Sequence, residues 1–175
     1  LTLSSANASR GDVITCALTI EDTSSGSASQ STSITLGNRA PSAPTLSQSP
    51  TTAYLDDTIT CNATASSDLD GDTISYSYSW TQNGNARVET GATLDGFLSA
   101  GDTLTCTATP SDGLLSGTAG TASLGIANQP PIMDSVSLSP DPLYTDDVLV
   151  ATPTASDLEN DTLTYTYVWS VNGVV

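Results

Sequence analysis

The sequence predicts an all-β chain built of tandem β-sandwich repeats of about 90 residues, one complete and two partial, on three observations. The first is a detailed segment that occurs twice. Ser66-Ser67-Asp68-Leu69-Asp70-Gly71-Asp72 runs into an alternating stretch, Thr73 to Trp80, and Ser156-Asp157-Leu158-Glu159-Asn160-Asp161 runs into another, Thr162 to Trp169. Recurrence at that level of detail marks an internal duplication. The second is that every strong apolar pattern has period two and no stretch sustains helical spacing. The third is a set of about seven short strands per unit with turn signals every 8 to 12 residues or so, the rhythm of a sandwich.

Laid against itself, the chain has a period of 90: Cys16 falls on Cys106, Gly11-Asp12 on Gly101-Asp102, Asn38 on Asn128, Pro41 on Pro131 and Tyr54 on Tyr144. Beyond Ala65 the offset is 89, so that Trp80 meets Trp169 and Asn83-Gly84 meets Asn172-Gly173. The units are therefore 1–38, the back part of one repeat; 39–128, a complete repeat; and 129–175, the front part of another. Repeats of this size belong to arrays whose units touch their neighbours.

Within the complete unit, strands are expected at Thr45 to Ser49 and at Asp57 to Ala65, the latter with Ile59, Cys61, Ala63 and Ala65 on one face. Thr73 to Gln82 follows, with Ile74, Tyr76, Tyr78 and Trp80 inward and Ser75, Ser77 and Ser79 outward. Asn83-Gly84 makes a tight turn, where positive φ costs little. Short strands near Ala86 to Glu89 and Ala92 to Phe97 lead to Asp102 to Pro110, with Leu104, Cys106 and Ala108 inward, and to Thr118 to Ile126.

Composition narrows the functional classes. The chain has 19 acidic residues against three basic ones, no histidine and a net charge of −16. Nucleic acid is excluded as a partner, because phosphate binding needs clustered Lys and Arg. An anionic membrane repels this charge, and no apolar run is long enough to span a bilayer. Such a field attracts cations. With no signal peptide and no initiating methionine, the sequence reads as a mature or excised segment of something longer.

Cys61 lies on the second strand, Trp80 on the third and Cys106 on the sixth. In that order, and in the Asp-Leu-Asp-Gly-Asp, Tyr-x-Tyr-x-Trp and Asn-Gly run, the chain resembles the immunoglobulin-like tandem modules of bacterial and archaeal surface proteins, which include PKD-like and cadherin-like repeats. The Cys61 to Trp80 spacing is longer than in antibody domains, and the Trp-Asp-Phe-Gly-Asp-Gly signature of strict PKD domains is absent. The resemblance implies a Cys61–Cys106 disulfide between facing sheets, which would stabilise by about 3 to 4 kcal/mol on the chain-entropy model; two buried free thiols are the alternative. A disulfide implies an oxidising compartment. Cys16 is the sixth-strand cysteine of the preceding unit, and Ala151 replaces Cys61 in the following one.

Asp68, Asp70 and Asp72 alternate in a loop that Gly71 lets turn tightly, the local chemistry of a calcium loop. In a sandwich of this order Asp112 comes from the neighbouring loop and is a candidate fourth ligand, and Asp157, Glu159 and Asp161 are the counterparts in the following unit. A solvated acidic turn is the competing reading. Asp56, Asp57, Asp95 and Asp102 are expected at the opposite end, facing Asp157, Glu159 and Asp161 across the Asn128-Gln129-Pro130-Pro131 linker. As in cadherin-like repeats, linker cations would stiffen the array. Glycosylation candidates are Asn7, Asn62 and Asn160, each in an Asn-x-Ser/Thr triplet.

No enzyme is expected, since histidine, lysine and a nucleophile elbow are all lacking. Tyr76 and Tyr78 share parity with Ile74 and Trp80, which makes them core rather than a sugar-stacking platform. The expected role is a structural segment of a long extracellular or cell-surface repeat protein, a fibre, stalk or filament with calcium as its cation. The alternative is an adhesin or carbohydrate-binding module acting through its loops. Expected partners are neighbouring repeats of the same chain, or copies of itself completing one another by strand exchange.

Overall fold

The computed structural model describes residues 8–174. They form eleven strands and no helix: β1 (Val13–Glu21), β2 (Ser27–Thr35), β3 (Thr45–Ser49), β4 (Ile59–Thr64), β5 (Ser75–Gln82), β6 (Asn85–Ala86), β7 (Thr93–Leu94), β8 (Thr103–Ser111), β9 (Gly120–Gly125), β10 (Ile132–Ser139) and β11 (Val150–Ser156). No helix is long and apolar enough to cross a membrane. The expected all-β fold is observed, and every strand pair in the sheets is antiparallel.

Two sheets, β3-β4-β7 and β6-β5-β8-β9, face each other as a β-sandwich. Alternation decides what lies between them. On β5 the serines are exposed, Tyr76 and Tyr78 half-buried and Trp80 buried, and on β8 Leu104, Cys106, Ala108 and Pro110 all turn inward. Ala53, Ile59, Leu94, Leu98 and Ile126 complete the core, with Tyr78 and Leu124 packed against it. The Cys61–Cys106 disulfide joins β4 to β8 across this core. Trp80 sits directly opposite Cys106 in the β5–β8 ladder and donates its indole N–H to the Gly91 carbonyl at 2.9 Å. Gln48 adds a second cross-sheet tie, its amide donating to the Ala122 carbonyl at 2.6 Å. At Gly120 an added Cβ would lie 2.6 Å from the Pro44 carbonyl oxygen, so only glycine lets β9 approach the chain entering β3 so closely.

On either side lie two-stranded sheets, β1-β2 and β10-β11. Their registers repeat those of the central sandwich 90 residues away. Val13↔Thr35 through Leu18↔Gln30 matches Thr103↔Gly125 through Ala108↔Gly120, and Ser135↔Thr154 through Ser139↔Val150 matches Thr45↔Thr64 through Ser49↔Thr60. The match extends to side chains. Thr15 and Ser33 share a hydroxyl hydrogen bond of 2.8 Å, as do Thr105 and Ser123.

Three local expectations are corrected. Ala65 is exposed and lies beyond β4, because the chain takes a left-handed step there (φ 62°) to enter the acidic loop. The strands near Ala86 to Glu89 and Ala92 to Phe97 shorten to Asn85–Ala86 and Thr93–Leu94; Gly96 and Phe97 both have positive φ, and Phe97 is 94% exposed. Thr162 to Trp169 repeats the sequence pattern of β5 yet forms no strand. β5 is held by an eight-residue ladder to β8, and 162–169 has no such partner among the described residues.

Because the disulfide joins the two sheets and closes a separation of 45 residues, its reduction is expected to cost the sandwich about 3 to 4 kcal/mol. Thermal unfolding followed by Trp80 fluorescence should then fall by roughly 15–30 °C in reductant. A midpoint unchanged by complete reduction would show that the apolar core alone carries the stability.

Candidate functional site

The acidic loop is shaped by its own first carboxylate. Asp68 Oδ1 accepts the backbone N–H of Asp70 at 2.8 Å and that of Asp72 at 3.4 Å, and the Gly71 N–H returns to the Asp68 carbonyl at 3.3 Å. Gly71 has φ +81°, which glycine adopts without strain. This turn gathers Asp68, Asp70 and Asp72 so that one oxygen from each lies within 4.8 Å of the other two, a grouping that could hold a metal ion. Asp68 Oδ2 and Asp72 Oδ2 are shielded from solvent and make no hydrogen bond, so acceptor capacity is left over inside the cluster. Three carboxylate oxygens suit a hard cation and do not by themselves select calcium.

The loop is also tied to the linker and to the unit before it. Ser67 N–H donates to Ser42 Oγ at 2.8 Å, Ser66 Oγ donates to the Ser42 carbonyl at 2.6 Å, and the Arg39 N–H donates to Asp70 Oδ2 at 2.6 Å. Arg10 Nη1 lies 3.0 Å from Asp72 Oδ2, an ion pair that lacks hydrogen-bond alignment, and the Arg39 guanidinium is 3.7 Å from Asp70. Arg10 also donates to Asn38 Oδ1 at 2.9 Å, and Asn38 donates to Asp112 Oδ2 at 2.7 Å. Asp112 thus reaches the same end of the sandwich but stays outside the three-carboxylate grouping. Its other oxygen is taken by the Leu114 and Leu115 N–H groups, both at 2.7 Å, and together with Asn38 these bonds hold its carboxyl below the usual range.

The loop after β11 folds by the same rule. Asp157 Oδ1 accepts from the N–H groups of Glu159 and Asp161, both at 3.1 Å, and Asn160 takes the left-handed step (φ 61°) that Gly71 takes in the first loop. The Gln129 N–H donates to Glu159 Oε1 at 3.1 Å, as Arg39 does to Asp70. Among the described residues Asp157, Glu159 and Asp161 do not converge as the first triplet does. The compensating charge differs as well, since Ala100 and Gln129 stand where Arg10 and Arg39 stand one period earlier. Glu159 Oε2 is buried without a partner.

Of the carboxylates expected to face this second loop, Asp56 alone is linked to it, through Gln129 Nε2 at 3.2 Å. Asp57 closes a turn on the Tyr54 N–H, and Asp102 is bonded by Gln82, Asn83 and the Ser99 N–H. Burial pushes the Asp102 carboxyl up, but those donors outweigh it and the net shift is downward. Beside it, the Arg87 guanidinium forms a two-pronged hydrogen-bonded pair with Glu89 that holds the glutamate down to about 2 and raises the arginine. Of the sequon asparagines, Asn62 is exposed on β4 between inward-facing Cys61 and Ala63, Asn160 is exposed in its loop, and Asn7 lies outside the described residues. Cys16 is free and exposed.

The sequence reading named the carboxylates and missed Arg10, Asn38 and Arg39. Arg39 stands next to Asn38 between the first two units, but Arg10 lies 28 positions before Asn38, and nothing local in the sequence joins it to the acidic loop.

A depressed carboxyl pKa stabilises the fold above the ordinary glutamate range of about 4.3, and that contribution is lost as pH falls toward the folded value. For Glu89 the window runs down to about 2. The difference in melting temperature between the native chain and Glu89→Gln is therefore expected to be constant above pH ~5 and to shrink on acidification. A difference that persists undiminished to pH ~2 would show that the Arg87–Glu89 pair is not its source. No protein-family model, curated protein or solved structure matches this chain.

Proposed function

We propose that the chain is a structural segment of a long extracellular repeat protein, built of immunoglobulin-like sandwich units and stiffened at its junctions by cations, with calcium as the resident ion. The observation that carries this reading is the recurrence of one junction contact. The N–H of the residue after the linker asparagine binds the second carboxylate of the acidic loop in both places, Arg39 to Asp70 and Gln129 to Glu159. The matching ladder registers of the flanking hairpins support the same unit on both sides.

The chemistry suits a load-bearing role. A cross-sheet disulfide resists extension of the sandwich and fits an oxidising setting. A carboxylate loop clamped to its linker turns cation binding into junction stiffness, because an ion held by Asp68, Asp70 and Asp72 fixes the loop that holds Arg39 and Arg10. Arg10 and Arg39 supply part of that compensation from the protein itself.

Calcium is expected to bind weakly, with the dissociation constant of about 10⁻⁴–10⁻³ M typical of extracellular modules. At roughly a hundredfold excess over that constant it adds about 2.7 kcal/mol, a rise of roughly 10–20 °C in melting temperature relative to chelator. Asp70→Asn should abolish the rise. Arg10→Ala should strengthen calcium binding in calorimetry, since it removes a competing positive charge from Asp72. No calcium-dependent shift in the native chain, or weaker binding by Arg10→Ala, would sink the cation reading.

A further inference from the structure

We propose that Asn62 is a glycosylation site, whose side-chain amide carries a saccharide over the outer face of the β3-β4-β7 sheet. This rests on the extracellular reading above, because the acceptor triplet is used in exported chains. In the transfer, Asn62 Nδ2 bonds to the anomeric carbon of a saccharide carried on a lipid-linked phosphate. The bond from that carbon to the phosphate oxygen breaks, the phosphate leaves with the electron pair, and one amide proton passes to a base of the transferase.

The fold gives Asn62 no task of its own. It is exposed on β4 opposite Ser47 of β3, and its amide has no hydrogen-bond partner among the described residues. Asparagine is depleted in strands, and one period later the same rung pairs Ser137 with Thr152, a better strand former. What Asn62 has is Thr64 two residues on, turned to the same outer face, which completes the acceptor triplet. Thr64 is exposed, and its hydroxyl reaches the Thr45 carbonyl only at 3.4 Å. Around them Thr45, Ser47, Ser49 and Thr60 face outward, so neither a charge nor a bulky group on these strands stands in a saccharide's way. Asn160 differs. It stands where Gly71 does and takes the left-handed φ of 61°, which asparagine tolerates better than most residues, so its turn explains it. The middle residue of its triplet, Asp161, is held by its N–H to Asp157 Oδ1 at 3.1 Å.

The triplet is also reachable. β7 pairs with β4 at Ile59 and Thr60, and the Cys61 N–H donates to the Ala92 carbonyl at 2.7 Å. Beyond Cys61 that edge of β4 has no partner strand among the described residues, and the chain leaves the sheet at Ala65. During synthesis Cys106 follows Cys61 by 45 residues, roughly 2–9 s at ordinary rates. Asn62 is therefore presented as extended chain before β8 exists to close the sandwich behind it. The saccharide has a use there. None of β3, β4 and β7 carries a charged side chain, the usual guard of an open sheet edge. A bulky, solubilising glycan beside the open part of β4 supplies that guard.

The arginines provide the test. Cleavage after Arg39 and Arg87 releases residues 40–87, in which Asn62-Ala63-Thr64 is the only acceptor triplet, and Asn160 falls in the peptide that begins at Val88. Mass spectrometry of the chain recovered from the cells that make it, reduced and digested, should find 40–87 heavier than its sequence by whole saccharide residues, with fragmentation placing them on Asn62. In the same cells Asn62→Gln and Thr64→Ala should each remove the increment, and Thr64→Ser, which keeps the acceptor hydroxyl, should retain it. The peptide beginning at Val88 should carry nothing on Asn160. A 40–87 peptide at its sequence mass, an increment that survives Asn62→Gln or Thr64→Ala, or a saccharide on Asn160 with none on Asn62 would each overturn the proposal. An unmodified 40–87 peptide from a chain whose Cys61–Cys106 bond is formed and which gains thermal stability from calcium would remove the saccharide and leave the structural-repeat reading standing.

Discussion

The antiparallel ladder between β5 and β8 is the constraint on which the rest of the central sandwich depends. It runs from Ser75↔Ser111 to Gln82↔Leu104 and brings Trp80 opposite Cys106. Without it the tryptophan would have no wall to pack against, and the half-cystine would not face β4. The chain supplies its own comparison. Thr162 to Trp169 carries the same alternation and the same terminal tryptophan, lacks the ladder, forms no strand and leaves its aromatic side chains open to solvent. Backbone polar groups need partners, so alternation becomes a sheet only where another strand meets it.

Electrostatics follow a similar economy. Each of the three arginines in this acidic chain lies against a carboxylate: Arg10 at Asp72, Arg39 at Asp70 and Arg87 at Glu89. Two serve the first junction, where three aspartates converge, and the third clamps the far end of the sandwich near Asp102. The second junction has the same backbone turn around Asp157 but no arginine, and its triplet does not converge among the described residues. Local loop geometry is thus reused between units while its charge compensation is not.

Much of this was legible in the chain. Period-two alternation, the Asn-Gly and Asp-x-Asp-Gly-Asp turns, the parity that buries Cys61 and exposes Asn62, and the period of 90 are all local or self-comparative features, and each reappears as a ladder, a turn or a matched register. The acidic loop was legible for the same reason: its turn is made by Asp68 bonding to residues two and four positions on.

What the amino-acid order determined by itself, then, was the kind of strand, the turns between strands, the repeat and the carboxylate loop, because those interactions span a few residues or repeat in the sequence. Tertiary structure decided which strands exist and which charges meet. Arg10 reaches Asp72 across 62 positions, Asn38 reaches Asp112 across 74, and Trp169 stays exposed where Trp80 is buried. Those outcomes depend on which distant segment is present to pair or pack, and no local pattern specifies that.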